Sequence, residues 1–526
     1  MTPPTLEELI LTDIASLPVS DALYFLGLII DLSFHQSDIL LREKGTARAL
    51  EWASTIGKMD LTDVQNLELD YFQANAWANR TGKAQDRQAA WAWDNEPLQY
   101  QILLLRRAVN NPAFDTAETN RKCQILTNLA NSLNTAGRFV EAHEYWNRAL
   151  VIEPRFWMAL GNRGRGRIEY AKAIYSQHAR EELIWTAYRD LTRAVELVDE
   201  YPYGSPGAPE FFKWHITDLL ARFGSDFLNH EMKFIDYSLG RSRREKVYRA
   251  WALQETLFLN ILNDLGTYSA AASDPLHLPA YLAPFNEPPI LIGFFNQIKQ
   301  EYVSARWFFF DSLDSEDSDK PHFSDREVHL LNTLDYPVCS VAAEKMKLAF
   351  RATYSIFDKI AYFLNAYMKL GIPETQVNFR SVWSTKVNKS TTLRPEFEGL
   401  ENWPLRGLYW LSKDFFEATF SDVTEPDARD INKDRNHLEH KYFKIHDDLF
   451  GLISEISPLF IDTLAHSITR SDLEKKTLRL LKLARAALIY LACGMSARER
   501  HLRGEKAYDV MIADMELPTM KHRHKI

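Results

Sequence analysis

Arg435-Asn436-His437-Leu438-Glu439-His440 stands in a run that begins after Pro426-Asp427. Pro suits a first helical turn and Asp caps one. Ile431, Arg435, Leu438 and Tyr442 recur at helical spacing, which predicts a helix with one mostly apolar face packed inward. A rotation of about 100° per residue puts Asn436 and His440 one turn apart on another face, with Lys433, His437 and Lys444 near it. Lys, Asn and His together offer charge, hydrogen-bond donors and a titratable imidazole, which is the chemistry of a phosphate site. The residues leave a second reading open, an i,i+4 ion pair of Arg435 with Glu439 beside solvated histidines.

The rest of the chain is helical in pattern. It has 526 residues, enough for two or three domains, with 46% hydrophobic and 25% charged residues, ordinary globular values. Gly is sparse while Leu, Ala, Glu and Arg abound, which favours helices over sheets. A net charge of −9 excludes a broadly basic nucleic-acid coat, so any RNA contact is local. Cys123, Cys339 and Cys493 are far apart, lack metal-like spacing and read as buried small residues in a reducing compartment. Glu7 and Glu8 stand where a signal peptide carries basic residues, and the apolar run from Ala22 to Ile30 is too short to span a membrane. The expectation is a cytoplasmic protein with no membrane partner.

Between Cys123 and Phe156, Leu126, Leu129, Ala130 and Leu133 occupy the first-helix positions of a tetratricopeptide repeat. Gly137 marks the turn, and Ala142, Trp146 and Pro154 follow at second-helix spacing. Leu160 and Gly164 begin a further unit whose second helix, with Ala187, Leu191 and Ala194, is displaced; Leu69–Trp77 and Ile102–Pro112 form a stretched one. Residues 1–205 are therefore expected to be a degenerate TPR-like solenoid whose concave side holds a protein or peptide segment, or which serves only as a packing scaffold. Arg163, Arg165 and Arg167 are candidates to touch an acidic partner, or else a solvated face. Proline-rich joints at Tyr201–Pro209 and Asp274–Pro289 bound a helical connector, residues 206–290.

In residues 291–500, Val338–Leu370 is the longest periodic helix, with an apolar stripe from Met346 through Phe357 to Tyr367 and Asp358 on the neighbouring stripe. Asp358 is a candidate to orient a catalytic side chain, or else an ion-pair partner of Lys359 or another helix. Residues Pro373–Pro404 read as an irregular insertion in which Arg380, Lys386, Lys389 and Arg394 interleave with Phe379 and Trp383. That composition suits single-stranded RNA, whose bases stack on rings, and equally a plain surface loop. A last helix opens at Ser471 and turns Leu473, Leu480, Leu481, Ala484, Leu488 and Leu491 inward. Residues 501–526 end in a basic tail. No Walker loop, His-Glu-x-x-His or Gly-x-Ser-x-Gly occurs, and His437 with His440 lacks a clear third ligand, so neither cofactor nor metal is expected.

Phe295-Asn296-Gln297-Ile298, Asn332-Thr333-Leu334-Asp335-Tyr336-Pro337, Tyr354 to Tyr362, Pro404 to Trp410 and the hexamer together resemble a bacterial HEPN family that follows TPR-like repeats. The resemblance spans about Phe294 to Ala497 and matches the R-x4–6-H signature of HEPN ribonucleases at Arg435, Asn436 and His440. It implies an all-α protein, a degenerate TPR-like solenoid followed by a HEPN-type bundle. It also implies a metal-independent endoribonuclease acting in stress or anti-phage defence, gated by its repeats, with RNA as substrate and a site shared across a homodimer. In that reading His440 moves the proton, Arg435 stabilises charge on the phosphate and Asn436 holds the imidazole or an oxygen; Lys433, His437, Lys444, Arg380 and Arg394 are weaker RNA-binding candidates. The alternative from another class is a non-catalytic adaptor or nucleotide sensor on the same bundle.

Overall fold

The computed structural model describes residues 4–81, 91–200, 207–230, 234–284, 287–313, 321–387, 390–416, 434, 438, 442–448, 462, 464–506, 515 and 517–521. Helix dominates. The N-terminal half runs α1 (Leu6–Leu11), α2 (Val19–His35), α3 (Ile39–Ile56), α4 (Asp63–Thr81), α5 (Glu96–Val109), α6 (Thr119–Ala136), α7 (Phe139–Ile152), α8 (Trp157–Ala173), α9 (Gln177–Leu197) and α10 (Ala208–Phe223). Then come α11 (Arg243–Gln254), α12 (Ile290–Leu313), α13 (Val341–Met368), strands β1 (Ser384–Val387) and β2 (Ser390–Leu393), α14 (Trp403–Phe416), β3 (Tyr442–His446), β4 (Ala465–Thr469) and α15 (Arg470–Lys506).

The N-terminal helices pack as successive pairs: α2 on α3, α4 on α5, α6 on α7 and α8 on α9. Leu126, Leu129, Ala130 and Leu133 are fully buried on α6, as are Ala142 on α7 and Ala187, Leu191 and Ala194 on α9. Gly137 closes α6 in the left-handed region at φ +92°, with Arg138 N–H donating to Leu133 O. A Cβ on Gly137 would lie 2.1 Å from Trp403 O, and one on Gly407 would lie 2.1 Å from Gly137 O. The turn between α6 and α7 thus rests directly on the backbone of α14, a contact that only paired glycines permit.

Around that contact the two halves share polar groups as well as core. The Asp414 carboxylate on α14 accepts from Arg106 of α5 at 3.0 Å and from Arg138, which also pairs with Glu141; Arg479 of α15 reaches the same Glu141. Burial pushes the Asp414 carboxyl up, but the two guanidiniums hold it below the usual carboxylate range. The Trp410 indole donates to Trp93 O, and the Trp93 indole to Leu400 O, each at 3.0 Å. One apolar core consequently runs from Leu67 to Met495, across positions 205 and 290, with a smaller core over Leu6–Ala76.

At its centre lies α15. Leu480, Leu481, Ala484 and all residues from Ala486 to Cys493 are fully buried, and Arg485 inside this stretch pairs with Asp264 and donates to Phe258 O and Asn260 O. The helix is long and apolar enough to cross a membrane, yet 89% of that apolar window is buried in protein, which makes it the core helix of the fold. Its stripe, like that of α13, is engaged within the chain. Cys123 and Cys493 are buried as expected, whereas Cys339 is exposed.

Strands appear in two places where helix or irregular chain was expected. The insertion at 373–404 contains the antiparallel hairpin β1–β2. The helical reading through Tyr442 also fails, because Tyr442–His446 is β3, paired in parallel with β4. Tyr442, Phe443, Lys444 and Ile445 alternate in burial as a short strand does, and an apolar run of that length does not distinguish helix from strand by period alone.

Candidate functional site

Within the hexamer and its approach, Asp434 and Leu438 are described; both have helical backbone and both are buried, Leu438 in the main core. Lys433, Arg435, Asn436, His437 and His440 lie outside the described residues, as do Pro426 and Asp427. Asp434 fixes the place from which the motif begins. One of its oxygens accepts from His466 Nε2 at 2.6 Å and the other from Lys476 Nζ at 2.9 Å. A carboxylate bonded this way is ionised and accepts only, so His466 carries a hydrogen on Nε2. Burial pushes the Asp434 carboxyl up, but these two donors outweigh it and hold the group below its ordinary range.

Each donor comes from a different element. His466 sits on β4 opposite Phe443 of β3, whose ring lies 5.6 Å from the imidazole. Lys476 lies in the first turns of α15, three residues before Arg479. Neither residue was legible as a partner of Asp434, because separations of 32 and 42 positions leave no local spacing signal.

The same small sheet carries a second polar cluster. Lys444 is buried, paired with Asp335 and with Asp462 at 2.8 Å. Burial works to lower its pKa, and the two carboxylates raise it well above the usual ammonium value. This corrects its placement on a helical face beside the motif: Lys444 points into a strand-bound ion triad. His446 is fully buried; its Nδ1–H donates to Asp335 O at 3.0 Å, and its Nε2 accepts from the Ser467 hydroxyl at 3.2 Å. Burial lowers its pKa, in keeping with a neutral ring. Val338 N–H donates to Ile445 O, so the Asn332–Pro337 segment docks along β3.

Other expected positions are placed elsewhere. Phe379 and Trp383 are buried, Phe379 against Phe357 and Phe415, and Trp383 against Trp93, Phe397 and Tyr409. They belong to the core and cannot stack on RNA bases, which removes the aromatic half of the expected loop platform. Arg380 is exposed, and the Arg394 guanidinium donates to Ser381 O. The Asp358 carboxylate accepts from Phe379 N–H at 3.2 Å and so pins that segment; Lys359 pairs instead with Glu301. Arg163 and Arg167 both grip Asp190, and Arg165 pairs with Glu169, so these arginines are engaged within the helical array. Among the described residues no three His, Cys, Asp or Glu side chains gather into a metal-like group.

No curated protein and no solved structure matches the chain. Residues 283–498 match the family model described as LA2681-like HEPN, a region that takes in α12 to α15, the strands and the Arg435-x4-His440 segment.

Proposed function

We propose that the chain is a metal-independent endoribonuclease of stress or phage defence, gated by its TPR-like helix pairs. The observation that carries the reading is the match of residues 283–498 to a HEPN domain, together with Arg435, Asn436 and His440 in the R-x4-H pattern. His440 takes the proton from a ribose 2′-OH or delivers one to the leaving 5′-oxygen. The 2′-oxygen bonds to phosphorus as the P–O5′ bond breaks, leaving a 2′,3′-cyclic phosphate and a 5′-hydroxyl. Arg435, permanently charged and bidentate, meets the charge that builds on the phosphate oxygens.

One motif supplies one His440, whereas the reaction asks for a base and an acid, so a second copy about a two-fold axis completes the site. Apolar side chains left exposed around β3 and β4 support such a seam. Leu331 is 93% and Leu464 84% exposed, and Leu330, Leu334, Tyr336 and Tyr442 are exposed nearby. A cluster of this kind marks an interaction surface.

The test is incubation of the purified chain with total cellular RNA plus EDTA, followed by end analysis. Cleavage leaving cyclic phosphate ends is expected, with His440→Ala lowering the rate about 10²–10⁴-fold and His437→Ala much milder. Excess His440→Ala chains added to wild type are expected to depress activity more steeply than dilution does. Undiminished cleavage by His440→Ala overturns the assignment, and no cleavage by wild type favours an adaptor.

A further inference from the structure

We propose that Asp434 is the positioning residue of this site, a buried carboxylate clasped by His466 of β4 and Lys476 of α15 that sets where Arg435 and the residues after it stand. For its activity readout the proposal rests on the ribonuclease reading above; the clasp itself is read independently.

A buried carboxylate held at both oxygens is fixed in rotation as well as position. Asp434 has that arrangement, with donors at 2.6 and 2.9 Å on separate elements and its side chain 1% exposed. Each donor is itself held. His466 stands in the parallel ladder with its ring against Phe443. The α15 turn that carries Lys476 is anchored by buried Leu473 and Thr477 and by Arg479, which grips Glu141 and Glu144 of α7. Leu438, one turn after Asp434, is sunk in the main core, so the segment has a polar and an apolar anchor on one face. Arg435 is covalently next to Asp434, about 3.8 Å away from Cα to Cα, so a displacement of the anchor passes directly to it. A displacement of about 1 Å in a positioned group costs about 10²-fold in rate.

The Asp335–Lys444 pair supplies an internal control, because it is a buried ion pair of the same sheet that does not adjoin the motif in sequence. In the full-length chain, Asp434→Asn, Lys476→Met and Asp335→Asn are compared for kcat and KM on an RNA oligonucleotide, Tm, and amide exchange of the peptide spanning 434–446. Asp434→Asn and Lys476→Met are expected to lower kcat about 10²-fold with KM little changed, and Lys476→Arg to recover most of the loss. Exchange in that peptide is expected to quicken about tenfold in both variants while α13 stays protected. Asp335→Asn is expected to lower Tm at least as far while kcat per folded molecule stays at the wild-type value. Unchanged kcat per folded molecule, or unchanged exchange, in Asp434→Asn and Lys476→Met overturns the proposal. If wild type cleaves no RNA, the ribonuclease reading fails and the exchange measurement alone decides the clasp; if Asp434→Asn does not fold, Lys476→Met carries the comparison.

Discussion

His143 shows how a single buried group sets a property of the whole chain. Its Nδ1–H donates to Phe139 O at 2.7 Å and its ring packs against Trp146 and Tyr170. Burial, with the Arg167 charge beside it, pushes its pKa down to about 3 from the ordinary 6.5. The unfolded chain therefore binds this proton first as pH falls. Stability is lost through the window between 6.5 and about 3, at up to about 1.4 kcal/mol per pH unit where a full proton separates the states. Urea unfolding between pH 6.5 and 4.5 checks this. The slope of stability with pH is expected to flatten by as much as one proton in His143→Leu, and an equal slope in both proteins would sink the account. Residues of this kind are hard to read beforehand. The apolar positions Leu126, Leu129 and Leu133 were legible because helical period repeats them. His143, Asp434 and His466 have no period, and only the fold decides their surroundings.

Among the elements, the long helices were legible and the short strands were not. The expected helix over Val338–Leu370 is α13 at Val341–Met368, capped by the Ser340 hydroxyl accepting from Ala343 N–H. Its stripe residues Met346, Phe350, Thr353, Phe357, Ile360 and Leu364 are all buried, because twenty-eight residues of steady period outweigh any local ambiguity. β3 has five residues, and its parallel partner comes from a segment nineteen positions further on. What holds this pair together is the Asp335–Lys444–Asp462 triad, in which Lys444 is 5% and Asp335 3% exposed. Removing the ammonium strands a buried carboxylate, so Lys444→Met is expected to cost about 3–5 kcal/mol in chemical denaturation. Lys444→Met combined with Asp335→Asn is expected to recover part of that loss, since no unpaired charge then remains. A single variant as stable as wild type would show that the triad contributes nothing to the docking of Asn332–Pro337 on β3.

At the scale of the whole molecule the helical class was plain in composition and period, and the HEPN-like region was legible from its motifs, while the closeness of the two halves was not. Proline-rich joints suggested separable parts, yet Asp274 beside one of them is bonded to Arg306 at 2.8 Å, and Asp264 in the connector grips Arg485 in the middle of α15. The clearest case is α14. Its residues Pro404–Phe415 are all buried, and α5, α6 and α7 contribute Arg106, the Asn134 and Thr135 carbonyls, Gly137 and Arg138 to that burial. Without those helices Asp414 would lose both guanidiniums, and the indoles of Trp403 and Trp410 would lose their carbonyl acceptors Asn134 and Trp93. Each stranded polar group costs about 1–3 kcal/mol, more for the charge, on top of the apolar area uncovered. A domain's net stability is only about 5–15 kcal/mol, so the losses exceed what residues 283–498 can hold alone. That fragment is expected to fail to give a cooperative thermal transition, although it matches a family domain from end to end. The full chain is expected to melt its main core, Leu67 to Met495, in one step, with the smaller Leu6–Ala76 core free to melt apart from it. Calorimetry on the fragment and the full chain distinguishes the cases. A fragment that melts sharply near the temperature of the intact protein would mean the two halves fold independently, and control of the site by the helix pairs would then need another route than this shared core.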